Sequence, residues 1–387
     1  MSSVLEYLFE SENADRLTRF FRARGSRARI IAPGWVRARI AAVDAQAAPE
    51  LRASWTEDIE SSAPTTEGNW NYIVVADDAD RERAMIAKLA ERGETKIHGL
   101  FRDVLPAILC GESNVSSGRQ LPDLKRYAVL CLPRSGSRYL ASVLDRHGLG
   151  APKEHLREPL AKAITDGKLG FRNAVKGLER FGQRNGIFGT KLISSFLIKA
   201  SHGDLSRLEG NIGWMAQRGY QFFYLDRPLN DAVISSYIAS RLQKWHFFEQ
   251  MDNATKDFLD KLEFDGDSAL NEYIRFRAQK ATFAYLGRRF SMPSFPYATL
   301  QDSIGSVVDA ICNRLEVDQG SLIAGSASVP VSTRAESPTY GNFATALETM
   351  LQHNRNDIDS RTVKQLRTLV GIGRADAERM AAELNTG

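Results

Sequence analysis

Arg134-Ser135-Gly136-Ser137 stands between an apolar run, Tyr127 to Leu132, and a segment from Arg138 to His147 whose Leu140, Val143 and Leu144 share one helical face. Small residues between a strand and a helix let the backbone pass close to a ligand. A turn of this kind also aims N–H groups and the positive end of a helix dipole at whatever it holds, which makes it an anion site. Gly136 permits the close approach, Ser135 and Ser137 offer hydroxyl donors, and Arg134 offers a fixed charge with a two-pronged guanidinium. The Gly-Lys-Ser/Thr ending of a nucleotide-triphosphatase loop is missing, and Arg138 stands where a magnesium-binding hydroxyl would be useful. Phosphate binding without an obligatory metal is expected. A second strand–turn–helix, FFYLDRPLNDAVISSY (222 to 237), places Arg227 at a strand end and Pro228 in a first helical turn. Ser235 follows about two turns into that helix. Arg227 and Ser235 can grip one phosphate from two directions. Two such grips at one sheet edge suit a ligand with two separated phosphates.

RSGSRYL (134 to 140), Gly150-Ala151-Pro152-Lys153-Glu154, Phe188-Gly189-Thr190-Lys191-Leu192, the pair Arg227 and Ser235, and Trp245 follow one another along the chain. In order and spacing the set resembles the sulfotransferases that use 3′-phosphoadenosine 5′-phosphosulfate (PAPS), and among them the bacterial branch typified by trehalose 2-sulfotransferase. The likeness covers about residues 125 to 340 and leaves the N-terminal part unexplained. It implies an α/β fold with a three-layer, P-loop-like parallel sheet (the sulfotransferase fold), with PAPS as donor and no metal. It implies that Arg134, Ser135, Gly136, Ser137, Arg138 and Tyr139 form the loop for the 5′-phosphosulfate, and that Arg227 and Ser235 hold the 3′-phosphate. Arg334, in VSTRAESPTYG, falls where the family often carries a basic loop near that phosphate. The sequence departs from the family at two points. Arg138 replaces the usual threonine, and His155-Leu156 follow the glutamate where aromatics are common. Both bear on the acceptor more than on the donor.

Sulfuryl transfer needs an in-line hydroxyl, a base for its proton, and positive groups on the leaving phosphate. Arg134 and the N–H groups of residues 135 to 138 suit the leaving group. Taken alone, Glu154 reads as a solvated loop carboxylate; the resemblance makes it the base. His155 and Glu158 compete for that role or for a place beside the acceptor, and cytosolic animal relatives use a histidine. Lys191, read as ending a strand, either faces the donor or is solvated. Trp245, in RLQKWHFF, either lines a pocket or packs in the core. By resemblance the acceptor is a carbohydrate, a glycolipid or another small hydroxyl compound.

These residues need strands to carry them. The apolar, β-rich runs 126 to 132, 187 to 191, 221 to 225 and 294 to 298 alternate with helical patterns, which argues for a parallel sheet. Upstream, residues 3 to 24 have helical spacing, residues from 28 are strand-like, 44 to 69 read as loop or weak helix, and 70 to 78 read as a buried strand. The Asp77-Asp78 end of that strand reads as an N-cap in preference to a nucleotide or metal site, and leads into a helix with Met85, Ile86 and Leu89 on one side. Residues 95 to 108 suggest one more short strand and turn. The expected division is a β/α module of unknown role over 1–110, a polar linker over 111–124, the sulfotransferase domain over 125–340 and a helical extension over 341–387. The module could shape the acceptor site, mediate a homodimer or act separately.

Composition fits this reading. The chain has 387 residues, 43% hydrophobic and 25% charged, as in globular proteins, and 51 basic against 47 acidic residues give a net charge of +4. That surplus is too small to argue for nucleic acid. Three scattered cysteines, Cys110, Cys131 and Cys312, form no CxxC, and His147 and His155 have no ligand partners at metal spacing. The N-terminal residues lack an apolar signal core, and no run reaches the length of a membrane span. A cytoplasmic protein is expected. Two rivals remain: a small-molecule kinase on a similar scaffold, against which the missing GK[ST] counts, and nucleic-acid binding through LRTLVGIGRADAERMAAEL (366 to 384), which resembles a helix-hairpin-helix.

Overall fold

The computed structural model describes residues 28–32, 54–56, 71–76, 78–110, 123–243, 253–322, 324 and 338–384. Arg334, Trp245 and the helix expected over 3–24 lie outside the described residues. The fold is mixed α/β with two all-parallel four-stranded sheets. The chain divides into two compact units. One holds the described residues up to 110 together with Arg157–Gln183; the other holds Asp123–Leu156 and the described residues from Arg184 onward. This departs from the expected division in two places. Residues 157–183 join the first unit, and the helices after 341 belong to the second rather than forming an extension.

The first unit's sheet runs β2-β1-β3-β4, with β1 Ala28–Ile31, β2 Ser54–Thr56, β3 Asn71–Val74 and β4 Ile97–Gly99. β2 lies in the stretch read as loop or weak helix. Its three residues are too short for a period-2 signal among polar neighbours. Asp78 caps the helix Ala79–Glu91, its carboxylate accepting from the N–H groups of Asp80 and Arg81 at 3.0 and 2.8 Å. Leu89, with Met85 and Ile86 beside it, packs against Ile31, Tyr72 and Val74. After β4 the chain turns helical through Cys110. There the buried Asp103 takes Arg180 at 2.6 Å, tying in the helix Phe171–Gly182.

The second unit's sheet runs β6-β5-β7-β8, with β5 Lys125–Cys131, β6 Ile187–Ile193, β7 Tyr220–Asp226 and β8 Ser294–Pro296. These are the four strands expected from the sequence, with ends shifted by one or two residues. Tyr127, Val129 and Cys131, every second residue of β5, join a core with Leu140 and Leu144 of the helix Ser137–Arg146 and Val307 and Ile311 of the helix Ile304–Leu315. Ala128 and Leu130 point to the opposite face and are equally buried, as a central parallel strand requires. The long helix Gly266–Arg289 packs against β7 and the helix Leu229–Leu242. Because β5 lies between β6 and β7, the strand order reverses at its carboxyl end. Open α/β sheets bind ligands at such a point.

Candidate functional site

β5 delivers the chain into Leu132-Pro133-Arg134-Ser135-Gly136, and the helix starts at Ser137. Two residues of this turn are left-handed, Arg134 at φ 63° and Gly136 at φ 81°. For Arg134 that conformation costs on the order of 1 kcal/mol. At Gly136 a side chain is doubly unfavourable, because an added Cβ would also meet Cε2 of Tyr297 at 2.6 Å. The opening thus uses glycine where backbone and neighbours both demand it.

The two expected grips meet. Arg134 Nε donates to the Ser235 hydroxyl at 3.1 Å, and Arg227 Nη1 donates to the backbone carbonyl of Arg134. Ser235 and Arg227 are both buried. Around them, Tyr297 lies under the Arg227 guanidinium, with Cζ 4.3 Å from the ring centroid. Lys280 ion-pairs with Asp226 at 2.7 Å and donates to the Arg227 carbonyl at 3.3 Å. Burial holds the Arg134 guanidinium below the usual arginine range. Tyr340 acts against that shift, Arg227 adds to it, and Tyr297 and Glu154 oppose it. Two guanidiniums in one desolvated place favour an anion between or beside them.

Glu154 and Lys191 form a second cluster. The segment before β6 lies along that strand through a Lys153–Thr190 bridge, with Lys191 N–H donating to the Lys153 carbonyl at 2.9 Å. This brings Glu154 Oε1 within 2.8 Å of Lys191 Nζ. Lys191 does not end its strand, as expected: β6 continues through Leu192 and Ile193, and Lys191 sits level with Val129. Its side chain is 2% exposed and that of Glu154 30% exposed. A lysine is tolerated at so buried a strand position because the carboxylate meets it there.

Other expected site residues take different places. The Ser135 hydroxyl is fully buried with no hydrogen-bond partner among the described residues, and Ser137 is also buried. Both hydroxyls act on Cys131, whose thiol burial pushes up to about 11 while Lys191, Ser137 and Ser135 pull the other way. Arg138 is exposed, and Tyr139 packs on the core behind the loop. His155 is 1% exposed, stacks on Phe188 at 5.3 Å, and has Nδ1 3.1 Å from the Thr190 hydroxyl. A base must reach its substrate, so this imidazole is placed for packing. Glu158 belongs to the first unit, where its carboxylate accepts from the Lys162 N–H at 3.1 Å.

Tyr297, Tyr340 and Lys280 were not anticipated. Tyr297 fell inside the strand expected over 294 to 298; it in fact follows β8 directly, and the register Asp226–Pro296 puts it level with Arg227. Lys280 lies inside a long helix with no local mark. The helices Arg355–Val370 and Arg374–Glu383 flank a turn in which Gly371 and Gly373 are exposed. An added Cβ at Gly371 would lie 3.2 Å from the Gly203 carbonyl, and Leu366, Ala377 and Met380 pack with Ala278 and Ala281. Among the described residues no cluster of metal-ligating side chains occurs, and no helix is long and apolar enough to cross a membrane. No protein-family model matches the chain, and no curated protein matches it by sequence.

Proposed function

We propose that the chain is a sulfotransferase that moves a sulfuryl group from PAPS to a hydroxyl of a small acceptor, a carbohydrate or glycolipid by resemblance, on the P-loop-like sulfotransferase fold. The observation that carries this reading is the junction of Arg134, Ser235 and Arg227 at the point where the strand order reverses. A nucleotide phosphorylated at both 3′ and 5′ positions suits that junction, because the turn offers helix N–H groups on one side and two guanidiniums on the other.

In this reading the acceptor oxygen attacks the sulfur in line. Glu154 takes the hydroxyl proton as the new S–O bond forms. The bond from sulfur to the bridging oxygen breaks, and its electron pair leaves on the 5′-phosphate of adenosine 3′,5′-bisphosphate. The N–H groups of the 135–138 turn receive that charge. Because Arg134 reaches toward Ser235, its charge serves the 3′-phosphate side rather than the sulfuryl end. Lys191 holds the Glu154 carboxylate in place.

The test is thermal stabilisation by adenosine 3′,5′-bisphosphate against ATP with Mg²⁺, followed by transfer of radiolabelled sulfate from PAPS to a panel of sugars, glycolipids and alcohols. Stabilisation by ATP with Mg²⁺ alone would favour the kinase reading.

A further inference from the structure

We propose that Tyr297 is the positioning residue of the 3′-phosphate grip, holding Arg227 through a cation–π contact with its guanidinium. The inference rests on the sulfotransferase reading above. Three observations carry it. The β7–β8 register ends at Asp226–Pro296, so the next residues along, Arg227 and Tyr297, leave the sheet side by side. The Arg227 Cζ lies 4.3 Å from the Tyr297 centroid, within the range of a cation–π contact. The ring edge lies so near Gly136 that no Cβ fits there.

One aromatic ring therefore touches both turns. A cation–π contact consumes no N–H donor, so Arg227 keeps its hydrogen-bonding capacity, and Nη1 donates to the Arg134 carbonyl. An aliphatic side chain would fill the space but supply no negative π face. The rest of Tyr297 packs on the core that backs β5 and β7, so the ring is anchored rather than draped over the site.

The experiment is calorimetric titration of the full chain with adenosine 3′,5′-bisphosphate and, separately, adenosine 5′-phosphate, which lacks the 3′ group. Wild type, Tyr297→Phe, Tyr297→Leu and Tyr297→Met are compared, with the melting temperature of each. Tyr297→Phe should bind both nucleotides within about twofold of wild type, because the π face is retained. Tyr297→Leu and Tyr297→Met should lose about tenfold for the bisphosphate and little for the monophosphate. Equal loss for both nucleotides, or unchanged bisphosphate affinity in a folded Leu or Met variant, overturns the role of Tyr297 while leaving the donor reading intact. Wild type that binds neither nucleotide overturns the donor reading and this inference together.

Discussion

Arg134 Nε donates to the hydroxyl of Ser235 at 3.1 Å across 101 residues of sequence. Only the adjacency of β5 and β7 makes the contact, and it joins two turns that each look like an anion grip in isolation. Arg227 closes the arrangement from the other side through the Arg134 carbonyl. The charged groups at this edge are thus a connected set before any ligand arrives, and that set yields the following expectations.

Arg227→Met should weaken adenosine 3′,5′-bisphosphate binding about 10- to 100-fold, the range of a hydrogen bond to a charged group. Ser235→Ala should cost less, about 3- to 10-fold, as a neutral donor does. Calorimetry measures both. Affinity unchanged in Arg227→Met would remove this arginine from the site.

Glu154→Gln should lower sulfate transfer at least about 100-fold, within the range of general-base contributions, while product-nucleotide affinity stays near wild type. The amide still offers Lys191 an oxygen but removes its countercharge, so the melting temperature should also fall. His155→Asn should lower thermal stability yet keep transfer within a few-fold, because the imidazole is buried against Phe188. Steady-state kinetics and melting curves on the two variants decide which residue takes the proton.

Glu82 is buried in the first unit, where its carboxylate accepts from the N–H groups of Phe101 and Arg102 at 2.7 and 2.9 Å. Burial pushes its carboxyl from the ordinary 4.5 up to about 8, against the pull of those two N–H groups. The folded state therefore keeps a proton that the unfolded chain loses. Its contribution to stability is complete below about pH 4.5 and declines as pH rises to about 8. Urea midpoints measured across that window should fall with pH in wild type and fall less in Glu82→Gln.

Gly136→Ala should destabilise the chain through its positive φ and through contact with Tyr297. Tyr297→Leu removes the second cost and not the first. The double variant should be more stable than the sum of the single effects predicts, by about 0.5 kcal/mol or more. Strict additivity in denaturant unfolding would mean that the ring yields freely to the added methyl.

The strands of the second sheet were legible because a buried parallel strand leaves a local apolar signature, and the two turns were legible because Gly136, Pro228 and strand-end arginines are local marks. Ser135 and Ser137 are both buried at the turn, a placement that no local pattern announces. The position of Lys191 was missed by two residues because a charge was read as a strand end, when Glu154 supplies the countercharge inside the strand. The first sheet was harder. β2 has only three residues, and its neighbours give no periodic pattern.

By itself, the chain's order of residues determined the parallel α/β pattern and the two strand–turn–helix junctions, since strand periodicity, turn chemistry and helix starts depend on neighbours within a few positions. Tertiary structure alone decided that Arg134 reaches Ser235, that Tyr297 stacks on Arg227, that Glu154 neutralises Lys191 and that residues 157–183 join the first unit. These contacts follow from strand order and register. Side chains distant in sequence meet only after non-adjacent strands pair, and no local pattern encodes which strands those are.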